Sequence, residues 1–185
     1  MDRTVAGMFA LRARLLPLAL LVAGATLASL PPAAGAQACA GPAPEATLCL
    51  LNAERAGAGL RPLRLDRQLS RAADAYSHDM VARGYFAHVS PSGVQLAERI
   101  ARTGWMHRRL RWALGETLGW GTGSLATPAA MVDAWMHSPP HRHVVLESGF
   151  RRVGIGIAAG TPFGPASDGA TFTADFGAGR RAVGR

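Results

Sequence analysis

A change of hydrophobic period most constrains the fold of this chain. Up to His137, apolar residues recur at helical spacing between clear stop signals; from Val153 onward they alternate with glycine. Residues 44–58 predict a first helix, with Pro44 at its start, Leu48 and Leu51 on one face, and Gly57 and Gly59 near its end. Residues 61–65 read as a short extended connector. Asp66 then caps a second helix whose Leu69, Ala72, Ala73, Tyr76 and Met80 share a face, and Gly84 ends it. Ser92 and Gln95 form a capping box for a third helix with Leu96 and Ile100 inward, stopped by Gly104. Thr127-Pro128 opens a fourth, and Pro139 and Pro140 close it. Residues 153–157 and 170–176 read as an antiparallel hairpin across a turn-rich segment, with a third strand near residues 111–114. Helices first and strands last imply an α+β domain of about four helices on a small antiparallel sheet.

The first 38 residues stand outside that domain. Arg3, Arg12 and Arg14 precede an apolar run from Leu15 to Leu30, and Ala34, Ala36 and Ala38 follow, the order of a secretory signal peptide. The run is shorter than the ~20 apolar residues a membrane span needs. Residues 39–46 then form an N-terminal segment, 47–177 the domain, and 178–185 a basic tail. Cys39 and Cys49 are the two cysteines, and in an exported chain such a pair is expected to bridge. Ten residues of helix would hold them ~15 Å apart, so Cys39 must fold back, as Gly41, Pro42 and Pro44 allow. The competing reading makes Cys39 a lipidated first residue, but Ala36-Gln37-Ala38 lacks the large aliphatic residue of such sites. The net charge is +8, carried entirely by arginine and scattered apart from short clusters. Diffuse positive charge suits anionic surfaces such as envelope polymers or lipid head groups. No nucleic-acid motif accompanies it, so nucleic acid is not the expected partner.

Three strings carry the chemistry: FAHVSPSG, GETLGWG and WMHSPPHRHVVL. They place His88, Glu116 and His141 beside turn residues, from where the side chains can converge in one cleft. Two imidazoles and a carboxylate suffice for an open zinc or other divalent site at His88 and His141. They could equally orient a polar ligand without metal. Separations of 28 and 25 residues match no local metal motif. Among the other candidates, His78 reads as solvated, His137 as a partner of Asp133, and Glu98 as a partner of Arg102. His143 should diverge from His141. Ser90 and Ser138 precede prolines and read as turn residues, not nucleophiles. Four tryptophans read as core, with Trp120, among glycines, the best exception.

Together, LLNAERAGAGLRPLRLD, YFAHVSPSG, the GET segment, WMHSPPHR, VGIGIA and TFTADFG resemble bacterial CAP domains, the cysteine-rich secretory, antigen 5 and pathogenesis-related group. The resemblance implies an α-β-α sandwich whose central cavity holds two His and two acidic residues. His88, Glu116 and His141 match three of these as the cavity cluster, and Ser138 stands at the second acidic position. Thr117 replaces the usual Asn after the Glu, and Thr117 and Trp120 are expected to line the ligand cleft. Val144 stands where relatives carry a polar residue. One carboxylate in place of two lowers the expected metal affinity.

This reading implies a secreted binding or interaction module. Its His/Glu cleft would take a small polar or lipid-like ligand, or part of a wall polymer. The rival is an extracellular hydrolase with Glu116 as general base, with or without metal.

Overall fold

The computed structural model describes residues 39–106, 110–164 and 166–181. The proposed signal peptide, His107 and the last four residues lie outside them. The elements run α1 (Ala43–Gly57), β1 (Arg64–Leu65), α2 (Arg67–Arg83), α3 (Leu96–Arg102), β2 (Leu110–Thr122), a 3-10 turn (Gly123–Ala126), α4 (Pro128–His137), α5 (Pro139–Val145), β3 (Arg152–Ala159) and β4 (Gly169–Arg181). The sheet order is β1-β3-β4-β2, with β2, β4 and β3 antiparallel and β1 parallel to β3. This is an α+β fold with helices on both faces of a mixed sheet.

Local signals account for the helix ends. The Asp66 carboxylate accepts the backbone N–H groups of Gln68 and Leu69 at 2.9 and 3.2 Å, and Gly84, at φ 66°, closes α2 in the left-handed conformation that favours glycine. Thr127 caps α4 by accepting from the Ala130 N–H at 3.2 Å. The third helix starts one turn later than Ser92 suggests. Gln95 is its cap, with its N–H donated to Glu98 at 3.2 Å, while Ser92 pairs with Ser90 at 2.9 Å. That bond takes Glu98, and the expected Glu98–Arg102 pair is not among the ion pairs of the described residues. Pro139 and Pro140 end one helix and begin another, α5, because proline fits the first turn, where its missing N–H costs nothing.

The strands are longer than their alternation suggests. β2 runs through the GET segment, so Glu116 lies in mid-strand and not in a loop. β4 continues to Arg181, pairing residues that the sequence assigns to the tail. Cys39 is bonded to Cys49 with α-carbons 5.5 Å apart, so its sulfur is not available to a lipid. None of the helices formed by the described residues is long and apolar enough to cross a membrane.

The two sheet faces are packed differently. On one, Leu51 of α1, Trp135 of α4 and Val145 of α5 cover Val153, Ile155, Phe172 and Phe176. On the other, α2 lies directly on β3. A Cβ at Gly154 or Gly156 would fall 2.0–2.4 Å from the backbone of residues 69–74, so only glycine permits this approach. Buried Arg55 ties the first face together, donating to the carbonyls of Arg61, Val145 and Glu147 at 3.1, 2.6 and 3.1 Å.

Candidate functional site

The site forms where β2 passes α2, α3 and the loop that follows α2. Glu116 faces α2 from the strand and is buried. Its Oε1 accepts the His88 Nδ1–H at 2.7 Å, and its Oε2 pairs with the Arg99 guanidinium. Because a carboxylate only accepts, this bond puts the proton on Nδ1 and leaves Nε2 of the more exposed His88 ring available. Arg99 is held by more than its charge partner. It donates to the carbonyls of His88 and Val94 at 3.0 and 3.4 Å and lies 3.4 Å over the Tyr76 ring. Tyr76 in turn donates to the Ala87 carbonyl at 2.5 Å. The loop bearing His88 is thus fixed from both sides.

A second carboxyl stands beside Glu116. Asp175 is its register partner on β4, wholly buried, and neither oxygen has a hydrogen-bond partner of good geometry among the described residues. Burial drives its carboxyl well above the usual range and the Glu116 charge adds to this, with Arg99 opposing. Burial and the Glu116 charge together favour the protonated form of Asp175. Two carboxyls thus stand side by side on β2 and β4, the second of them enclosed within the fold.

His141 approaches from α5. It lines a groove of about 310 Å³ with Ser138, Trp120, Leu125, Met131 and Ala134. Burial first, and then the nearby His88, lowers its pKa, so the ring is neutral at neutral pH. His88 and Glu116 are therefore in contact, and His141 stands in the adjoining groove. Thr117 is not with them. It is fully buried, and alternation turns it to the face opposite Glu116, the face on which a Cβ at Gly115 or Gly119 would meet Val144, Phe150 and Met131. Trp120 is exposed at the groove and meets Phe163 edge-on at 5.6 Å; Phe86 meets the same ring at 6.5 Å. Trp112 is exposed as well, whereas Trp135 is core, its indole N–H donated to the Leu118 carbonyl at 2.9 Å. His78 and His143 are exposed, and His137 lies 3.4 Å from Asp133.

Residues 48–166, more than half of the chain, match the family described as "Cysteine-rich secretory protein family", CAP. The chain belongs to the CAP family. Its relative YkwD of Bacillus subtilis, an uncharacterized protein, is 36% identical over 107 residues, covering 58% of this chain and 39% of YkwD. The match thus spans well under half of that relative. Among solved structures, an extracellular protein containing a SCP domain from Bacillus anthracis aligns with TM-score 0.58 and 24% identity over 72% of this chain and 39% of that one. An outer surface protein of Borrelia burgdorferi aligns with TM-score 0.57 and 19% identity over 71% of this chain and 87% of that one. Both share the fold.

Within this CAP domain the donor set does not fit a resident divalent metal. Among the described residues no group of three His, Cys, Asp or Glu side chains could hold one. Both Glu116 oxygens are engaged, one by a guanidinium whose charge a cation would have to oppose. The same engagement makes Glu116 a poor general base, and its geometry is that of a group that orients His88. Sequence reasoning missed Arg99 and Asp175. Arg99 falls at i+3 from Leu96 and beside Ile100, on the inward helix face, which was a legible signal. Asp175 extends the Thr171, Thr173 stripe, which looks solvated until α2 covers it.

Proposed function

We propose that the chain is an exported CAP-domain binding module whose cleft between His88 and the Trp120–His141 groove takes a small amphipathic ligand. The carrying observation is the His88–Glu116 bond at 2.7 Å, which presents an oriented Nε2 near an apolar groove. The ligand's hydrogen-bonding head would meet His88, neutral His141 and Ser138, and its short apolar part would lie against Leu125, Met131 and Ala134. The exposed Trp120 and Phe163 rings at the rim support this, since apolar groups at a polar-edged opening mark binding surfaces. Export is supported by the signal-like leader and by the disulfide, which persists in oxidising compartments. The extracellular and outer-surface descriptions of the two structural neighbours agree with it.

Titration with dodecanoate and octyl glucoside, followed by tryptophan fluorescence in wild type, Trp120→Phe and His88→Gln, tests the reading. Saturable binding that reports through Trp120 and weakens in His88→Gln is expected. Absence of saturable binding, or affinity unchanged in His88→Gln, overturns it. Turnover of an octanoyl ester by the wild type that is abolished in His88→Gln would replace the binder with the hydrolase, with His88 rather than Glu116 as base.

A further inference from the structure

A second cavity, of about 380 Å³, opens between α2 and α3, lined by Arg99 but not by Glu116. Its walls carry Arg71, Arg83, Arg99 and Arg102 against a single acid, Asp79. Asp79 is already committed, taking an ion pair from Arg83 at 3.4 Å and the hydroxyl of Tyr85. Arg99 is committed to Glu116 and is only 9% exposed, yet its Nε has no hydrogen-bond partner among the described residues. Arg71 gives one bond, to the Thr103 carbonyl at 3.2 Å, and Arg102 has no ion pair among the described residues. Positive charge therefore exceeds negative in a recess that also has apolar walls, Ala72, Ala75 and Val94, and the hydroxyl-bearing Ser90 and Ser92 beside Tyr76 and Thr103.

We propose that this cavity binds an organic phosphate, its head group between Arg71 and Arg102 and its carbon body against Ala72, Ala75 and Val94. Guanidinium forks approaching from two helices suit a tetrahedral oxyanion, whose oxygens diverge, better than a planar carboxylate, whose two oxygens one fork satisfies. The volume lies within the range of small-molecule sites and well beyond a bare ion. The Ser90–Val94 loop forms part of the wall, locked by the Val94 N–H donated to Ser90 Oγ at 3.1 Å and by the Ser90–Ser92 hydroxyl pair. The recess is therefore preformed, and a ligand need not order it.

The test is an amide-resolved NMR titration with inorganic phosphate, glycerol 3-phosphate and vesicles of phosphatidylglycerol. It compares wild type with Arg71→Gln/Arg102→Gln and with the surface control Arg61→Gln/Arg64→Gln. Glycerol 3-phosphate should give saturable shifts at Ala72, Ala75 and Val94 and bind more tightly than inorganic phosphate. The cavity double substitution should lower its affinity on the order of a hundredfold, about tenfold for each charge-assisted contact, while the control stays within a factor of two or so. Saturation by the soluble ester supports a free phosphate ester as the source. The same arginine dependence seen with vesicles alone supports a lipid head group. Equal losses in the cavity and control variants would mean diffuse surface charge and overturn the proposal. So would the absence of shifts at those three amides with every probe. His88→Gln should leave phosphate affinity unchanged; a loss there as large as in the cavity variant would put the anion in the His88 cleft and overturn this site.

Discussion

Asp175→Asn isolates the electrostatic logic of the site, because the amide keeps the shape of a protonated carboxyl and removes only the ionisation. The wild-type group is wholly buried, without a well-formed hydrogen bond among the described residues, and beside Glu116. Its pKa in the folded chain is raised, from burial first and from Glu116 second. A carboxyl raised in the folded state contributes most at a pH below its unfolded pKa. It loses that contribution as pH climbs, because the unfolded chain releases a proton that the folded chain must keep. From about pH 4 upward, the wild type should therefore lose stability relative to Asp175→Asn by somewhat more than 1 kcal/mol per pH unit, a tenfold change in the folding constant for each unit, until the native group itself ionises. Urea unfolding of both proteins at several pH values from about 4 to about 7 measures this slope. The buried amide of the Asn variant carries its own pH-independent cost, which offsets the two curves by a constant, so the test is the slope. A stability difference that stays flat across that range, or one that moves in favour of wild type as pH rises, would refute the view that Asp175 is a buried neutral acid.

Two further predictions concern the scaffold. Gly156→Ala places a methyl 2.1–2.3 Å from the backbone at residues 73 and 74, where no side chain can swing aside. It should cost about 3 kcal/mol, the upper end of overpacking penalties. Gly57→Ala, with nothing within 4 Å, should be neutral or stabilise by up to about 1 kcal/mol; comparable melting shifts in the two variants would contradict the close-approach argument. Arg55→Lys keeps the charge but leaves most of the carbonyls of Arg61, Val145 and Glu147, the second of them buried, without a donor. A loss of about 3 kcal/mol in denaturant unfolding is expected, and a loss below about 1 would show that these carbonyls find other partners.

Periodicity and capping made most of the helices legible, because those signals are local: Asp66, Gly84, Thr127 and Pro128 act on the backbone within one turn. The same locality explains the errors. Pro139-Pro140 reads as an end, yet the chain restarts as α5, since proline is as acceptable in a first turn as it is disruptive in an interior. The glycines of GETLGWG read as a loop, yet they lie on a strand that its packed neighbours require to be bare: Gly115 beneath Val144 of α5 and Phe150 of the segment before β3, Gly119 beneath Met131 of α4.

His88, Glu116 and His141 could be named from their motifs, since each string sets its own residue at a defined place. Their roles could not. Whether Glu116 binds a metal, takes a proton or orients a histidine depends on who stands beside it. Its neighbours Arg99, Asp175 and Tyr76 come from α3, β4 and α2, joined by sheet register and helix packing rather than by spacing along the chain. A carboxylate's chemistry is set by the charges and dipoles within a few ångströms. That is why the chain order named the candidates and only the folded arrangement gave Glu116 a cation on one oxygen and an imidazole on the other.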